Sequence, residues 1–74
     1  MPYIYNLRVD VARDEENNIH TVYGIDANNS ESGETVSVSD VFRNKDAAVR
    51  FVEQCNRSQL SIVHLYEAIE DALE

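Results

Sequence analysis

The chain is 74 residues long, and its 14 acidic and 6 basic side chains give a net charge of −8. One cysteine and two histidines provide neither a disulfide framework nor a Cys/His zinc set, so the usual staples of a small domain are excluded. The surplus of acid argues against direct binding to a phosphate backbone, and no apolar run approaches the roughly 20 residues that span a bilayer.

A single domain over residues 1–74 is expected. From Tyr3 to Ala12 the residues alternate: Tyr3, Tyr5, Leu7, Val9 and Val11 share one face, and Asn6, Arg8 and Asp10 the other, the period of a half-buried strand. The polar stretch RDEENN (13–18) reads as a turn. IHTVYGIDA (19–27) then repeats the alternation, with Ile19, Thr21, Tyr23, Ile25 and Ala27 on one face. Gly24 in the middle of that strand predicts a bulge or the close approach of another backbone. A second loop, NNSESGE (28–34), leads to TVSVSDV, whose Val36 and Val38 oppose Ser37 and Ser39. Connections this short favour an antiparallel meander over residues 3–41.

The apolar face of such a sheet needs a cover, which the rest of the chain supplies. Asn44 is a good N-cap, and Ala48, Phe51, Val52 and Cys55 follow at helical spacing, predicting a helix over 45–56. Ser61 is placed to cap a second helix over 62–73, with Ile62, Leu65, Tyr66, Ile69 and Leu73 as its apolar stripe. A loop of this length makes the two helices neighbours. The expected architecture is therefore α+β in two layers: a three-stranded antiparallel meander followed by two helices packed on one face, in the order βββαα.

Charge is unevenly spread along this plan. Residues 1–42 carry eight acids and two bases, residues 43–57 four bases and two acids, and residues 58–74 four acids alone. At about 100° per residue, those four, Glu67, Glu70, Asp71 and Glu74, fall within a third of the helix circumference, away from its apolar stripe. Like charges at i,i+4 and acids at a helix C-terminus each cost a few tenths of a kcal/mol in an isolated helix. Three readings of this ridge stand side by side. It is a solvated acidic surface, or it is neutralised by Arg50 and Arg57 of the first helix, or it awaits a basic surface on another molecule.

Other chemistry-bearing residues have weaker patterns. His64 with Glu67 and Asp71, joined by His20 if the second strand lay close, is a conceivable set of metal ligands, although an ordinary ion pair explains a surface histidine beside acids. No cofactor is expected. Cys55 sits on the apolar stripe at the C-terminal end of its helix, where the dipole disfavours a thiolate, so it reads as a small buried hydrophobe. The two Asn-x-Ser matches, at Asn28 and Asn56, read as chance. With no phosphate loop or nucleophile elbow, and two glycines in all, an enzyme is not expected. Tyr3, Tyr5, Tyr23 and Tyr66 all fall on predicted inward faces, as a core rim or a subunit interface.

The segments TVYGIDA, CNRSQLS and HLYEAIEDALE resemble a family of short proteins of unknown function from Gram-positive anaerobic bacteria. The pattern rests on Cys55-Asn56-Arg57, Leu60-Ser61, His64-Leu65 and Ile69-Glu70-Asp71, over roughly half the chain. Family members often carry Pro after the serine, where this chain has Ile62. The resemblance implies no activity and no catalytic residues, but it does imply that the acidic helix end is a family habit.

From these features the expectation is a cytoplasmic, non-enzymatic module that docks on a basic surface of a partner protein, without direct nucleic-acid or membrane binding. One version is an inhibitor that presents carboxylates in place of phosphates, in the manner of anti-CRISPR proteins. The alternative is a homodimeric regulatory or structural protein that pairs through its tyrosines and an exposed sheet edge. The single cysteine and the absence of a signal-peptide pattern in MPYIYNLRVD underlie the cytoplasmic expectation.

Overall fold

A computed structural model of the protein describes residues 3–73. Three strands, β1 (Tyr3–Arg13), β2 (Ile19–Asn29) and β3 (Thr35–Phe42), form one antiparallel sheet in the order β1-β2-β3. Helix α1 (Lys45–Ser58), a 3-10 turn (Ile62–His64) and helix α2 (Leu65–Leu73) follow. The α+β order and the antiparallel meander are as the sequence predicts. Among the described residues, no helix is long and apolar enough to cross a membrane.

The β1–β2 register runs unbroken from Tyr3 opposite Asn29 to Arg13 opposite Ile19. Between β2 and β3 the register shifts at Gly24: Ile25 pairs with Val38 but Tyr23 with Phe42, so Ser39, Asp40 and Val41 stand opposite the single residue Gly24, with Asp40 at φ 56. A Cβ on Gly24 would collide with the Val38 carbonyl oxygen, which is why the strand carries glycine here.

The core lies between one face of the sheet and the helices. It gathers Tyr5, Ile25, Ala27 and Phe42 with Ala48, Phe51, Val52 and Cys55 of α1 and Leu65 and Ile69 of α2. Phe42 and Phe51 tilt against each other with ring centroids 5.5 Å apart, tying β3 to α1. Asn44 caps α1, its side chain accepting from the Ala47 N–H. The helix runs two residues beyond the predicted end, because Gln59 takes a left-handed φ of 54 and its N–H, with that of Leu60, returns to the carbonyls of Asn56 and Cys55. That is a Schellman ending without its usual glycine.

Helix α2 departs further from expectation. Ser61 stands at the predicted boundary, but its side chain makes no cap bond; its carbonyl instead accepts from His64 N–H and closes a 3-10 turn. Three residues per turn bring Ile62 and Leu65 to the same side. The buried stripe is accordingly Leu65 and Ile69, with Ile62 and Ala68 packed against the core. Tyr66, 60% exposed, and Leu73 lie outside it, so neither belongs to the inward face that spacing assigned to it. Tyr3 and Tyr23 are half-buried and Tyr5 is fully buried.

The sheet is also longer than its cover. Eleven residues of β1 extend about 37 Å at strand rise, whereas the fourteen of α1 reach about 21 Å. The far end of the β1–β2 hairpin is therefore uncovered, leaving Val9, Val11 and Ile19 exposed on the face predicted to be inward.

Candidate functional site

Helix α2 presents its acids to solvent. With Leu65 and Ile69 holding it to the core, Glu67 and Glu70 point away from the sheet and are exposed. Asp71, also exposed, stands on the rim of a shallow groove of about 310 Å³ between α1 and α2, floored by Phe51, Cys55, Leu60 and Ala68. The fourth predicted member, Glu74, lies outside the described residues.

One of the three readings of this ridge depends on Arg50 and Arg57. Among the described residues neither arginine forms an ion pair with Glu67, Glu70 or Asp71. They border a separate depression on α1 together with Glu53 and Gln54. Among the described residues the one charged contact on the ridge is His64 Nδ1 to Glu67 Oε2 at 3.9 Å, at the outer limit of an exposed pair and worth little.

His20 is placed far from this cluster in sequence and in use. It sits at the start of β2, and its Nε2 meets Asp14 Oδ2 at 2.8 Å. Asp14 also accepts from the backbone N–H groups of Glu16 and Asn18, closing the hairpin loop. The hydrogen bond from His20, reinforced by those amides, holds the Asp14 carboxyl below its ordinary range. Among the described residues no three His, Cys, Asp or Glu side chains gather as metal ligands would; His64 and Glu67 approach each other, but neither Asp71 nor His20 joins them as a third.

Cys55 is a free, buried thiol. Burial raises its pKa, as expected for a packing residue and opposite to what a nucleophile needs.

Asn56 has a role that its residue type does not announce. Its Oδ1 accepts from the Tyr5 N–H and its Nδ2 donates to the Tyr5 carbonyl, both at 2.8 Å. The amide thus stands in for a neighbouring strand at one residue of β1, which is the open edge of the sheet. Beside it, the buried Tyr5 hydroxyl donates to the Leu60 carbonyl at 2.6 Å. The C-terminal end of α1 is clamped to β1 by these three bonds.

A family model matches residues 1–74. The chain belongs to DUF6514, a family of unknown function. Membership extends over the whole chain, so strands β1 and β3 belong to the family pattern as well as the helical end. No curated protein and no solved structure matches the chain. On the face of the sheet away from the helices, Arg8 Nε meets Asp10 Oδ2 at 2.7 Å and its Nη1 meets Asp26 Oδ1 at 3.2 Å, while Ser37 donates to the same Asp26 oxygen. This polar lattice joins β1, β2 and β3 and has no counterpart among the sites expected from the sequence.

Proposed function

We propose that the protein is a small, acidic, non-enzymatic interaction module that docks through α2 on a basic surface of a partner protein in the cytoplasm. The observation that carries this reading is the exposure of Glu67, Glu70 and Asp71 on α2, none of them in an ion pair with Arg50 or Arg57. An acidic helix end left without basic neighbours is unfavourable by itself. A partner's lysines and arginines offset that cost and steer the encounter.

A specific form of this reading is an inhibitor that occupies the basic nucleic-acid channel of an enzyme, carboxylates taking the place of phosphates. The net charge of −8 and the small size suit that role. The motif Cys55-Asn56-Arg57, Leu60-Ser61, His64-Leu65 and Ile69-Glu70-Asp71 further supports an origin in Gram-positive anaerobic bacteria or their phages.

The test is affinity capture from a Gram-positive lysate at low and high salt. It compares the wild-type chain with one carrying Glu67→Gln, Glu70→Gln, Asp71→Asn and Glu74→Gln. The expected result is a partner retained by the wild type at low salt, released at high salt and not retained by the variant. Identical captures by the two chains, or no salt-sensitive partner at all, would refute the reading.

A further inference from the structure

The open edge of β1 has an unequal treatment along its length. Tyr5 sits opposite Ala27 in the antiparallel register and turns its N–H and carbonyl outward, where Asn56 takes both. Antiparallel alternation turns the same groups of Leu7, Val9 and Val11 outward as well. Among the described residues no backbone or side-chain group meets them. This stretch has no proline, lysine or bulge, the devices that usually blunt an edge. The other edge, β3, has the bulge at Asp40.

We propose that a second copy of this chain pairs with β1 about a two-fold axis through Val9, joining two three-stranded sheets into one of six. The register follows from the residues. An axis through Arg8 or Asp10 would set like charges directly opposite each other. One through Leu7 would run Val9 into the edge of Tyr5, already taken by Asn56. One through Val11 would place Arg8 against Asp14, which His20 and the hairpin amides already occupy.

Only the axis through Val9 sets Arg8 of each copy opposite Asp10 of the other, on the polar face where Arg8 and Asp10 already lie side by side at 2.7 Å. It also sets Leu7 opposite Val11 and Val9 opposite Val9. Val9 is 56% and Val11 68% exposed in the single chain. The ladder then consists of three pairs that each exchange two backbone hydrogen bonds. It ends at Asn56, where the second copy's strand leaves the edge after Ala12, one residue before β1 itself ends. Opposite charges and β-branched residues facing across strands are the favourable pairings of an antiparallel ladder.

This association does not rest on the acidic helix, and salt separates the two. Each copy carries −8, so screening strengthens pairing between copies while it weakens docking on a basic surface. The experiment is analytical ultracentrifugation of the full chain across micromolar concentrations at low and high salt, with hydrogen exchange of the same samples. A dimer that tightens with salt is expected, with the amides of Leu7, Val9 and Val11 protected in concentrated samples and exchanging freely on dilution.

The variants Arg8→Asp and Asp10→Arg, each checked for folding by circular dichroism, are each expected to be monomeric. Their equimolar mixture is expected to form heterodimers, since both cross-strand pairs then set an acid of the first variant against a base of the second. A chain that stays monomeric at high micromolar concentration overturns the proposal. A dimer whose Leu7, Val9 and Val11 amides exchange freely overturns it too, as does failure of two folded variants to associate on mixing. A foreign strand that protects the same amides in a chain that never self-associates would assign the edge to a different partner and also overturn it.

Discussion

Asn56 shows how much one side chain decides. An amide is the side chain that both donates and accepts in the geometry of a peptide group, and here it closes the backbone of Tyr5 across a sequence separation of 51. Changing Asn56 to Asp keeps the acceptor but replaces the donor with an oxygen facing the Tyr5 carbonyl. A loss of about 1 to 3 kcal/mol is expected from the broken bond and the unsatisfied carbonyl, read as a lower urea midpoint with an unchanged slope. An unchanged midpoint would show that the clamp contributes nothing. The sequence offered no sign of this role: a side-chain bond to a distant backbone leaves no local periodicity, and the Asn-x-Ser match at that position reads as chance. Gly24 was legible, because a glycine inside an alternating strand has few explanations other than the close approach that Val38 makes.

At the scale of elements, alternation and helical spacing located three strands and two helices, and the inward set of α1 was read in full from Ala48, Phe51, Val52 and Cys55. In helix α2 the spacing places Ile62, Leu65 and Ile69 correctly but misplaces the flanks of the stripe, Tyr66 and Leu73. Periodicity weighs Tyr66 and Leu73 as apolar and Ala68 as small. The 3-10 turn at its start rotates the helix so that Ala68 packs inward and Tyr66 does not. The hairpin loop has its own prediction. Asp14 is held below its ordinary value of 3.8 in the folded chain, so its contribution is present above that value and is lost as pH falls through the lower folded one. Acid titration followed by NMR should show the Glu16 and Asn18 amides losing protection as Asp14 protonates, and Asp14→Ala should abolish that transition. Amides that keep their protection through the titration would contradict the assignment.

For the whole molecule, the two-layer plan follows from an apolar sheet face and two amphipathic helices. What pattern alone could not show is coverage: the hairpin outruns the helices, so Val9, Val11 and Ile19 are exposed although their alternation is that of a buried face. The charge layout is a property of this same scale. Glu67, Glu70 and Asp71 gather on α2, and neither Arg50 nor Arg57 pairs with them. On the proposed function, these acids are surplus to the fold and available to a partner. Urea unfolding at low salt tests it most directly, comparing the wild type with the chain carrying Glu67→Gln, Glu70→Gln, Asp71→Asn and Glu74→Gln. Relief of like-charge and dipole repulsion predicts a variant as stable as the wild type or more stable by up to about 1 kcal/mol. A variant less stable than the wild type would mean that the acids are neutralised within the fold, and would contradict the account.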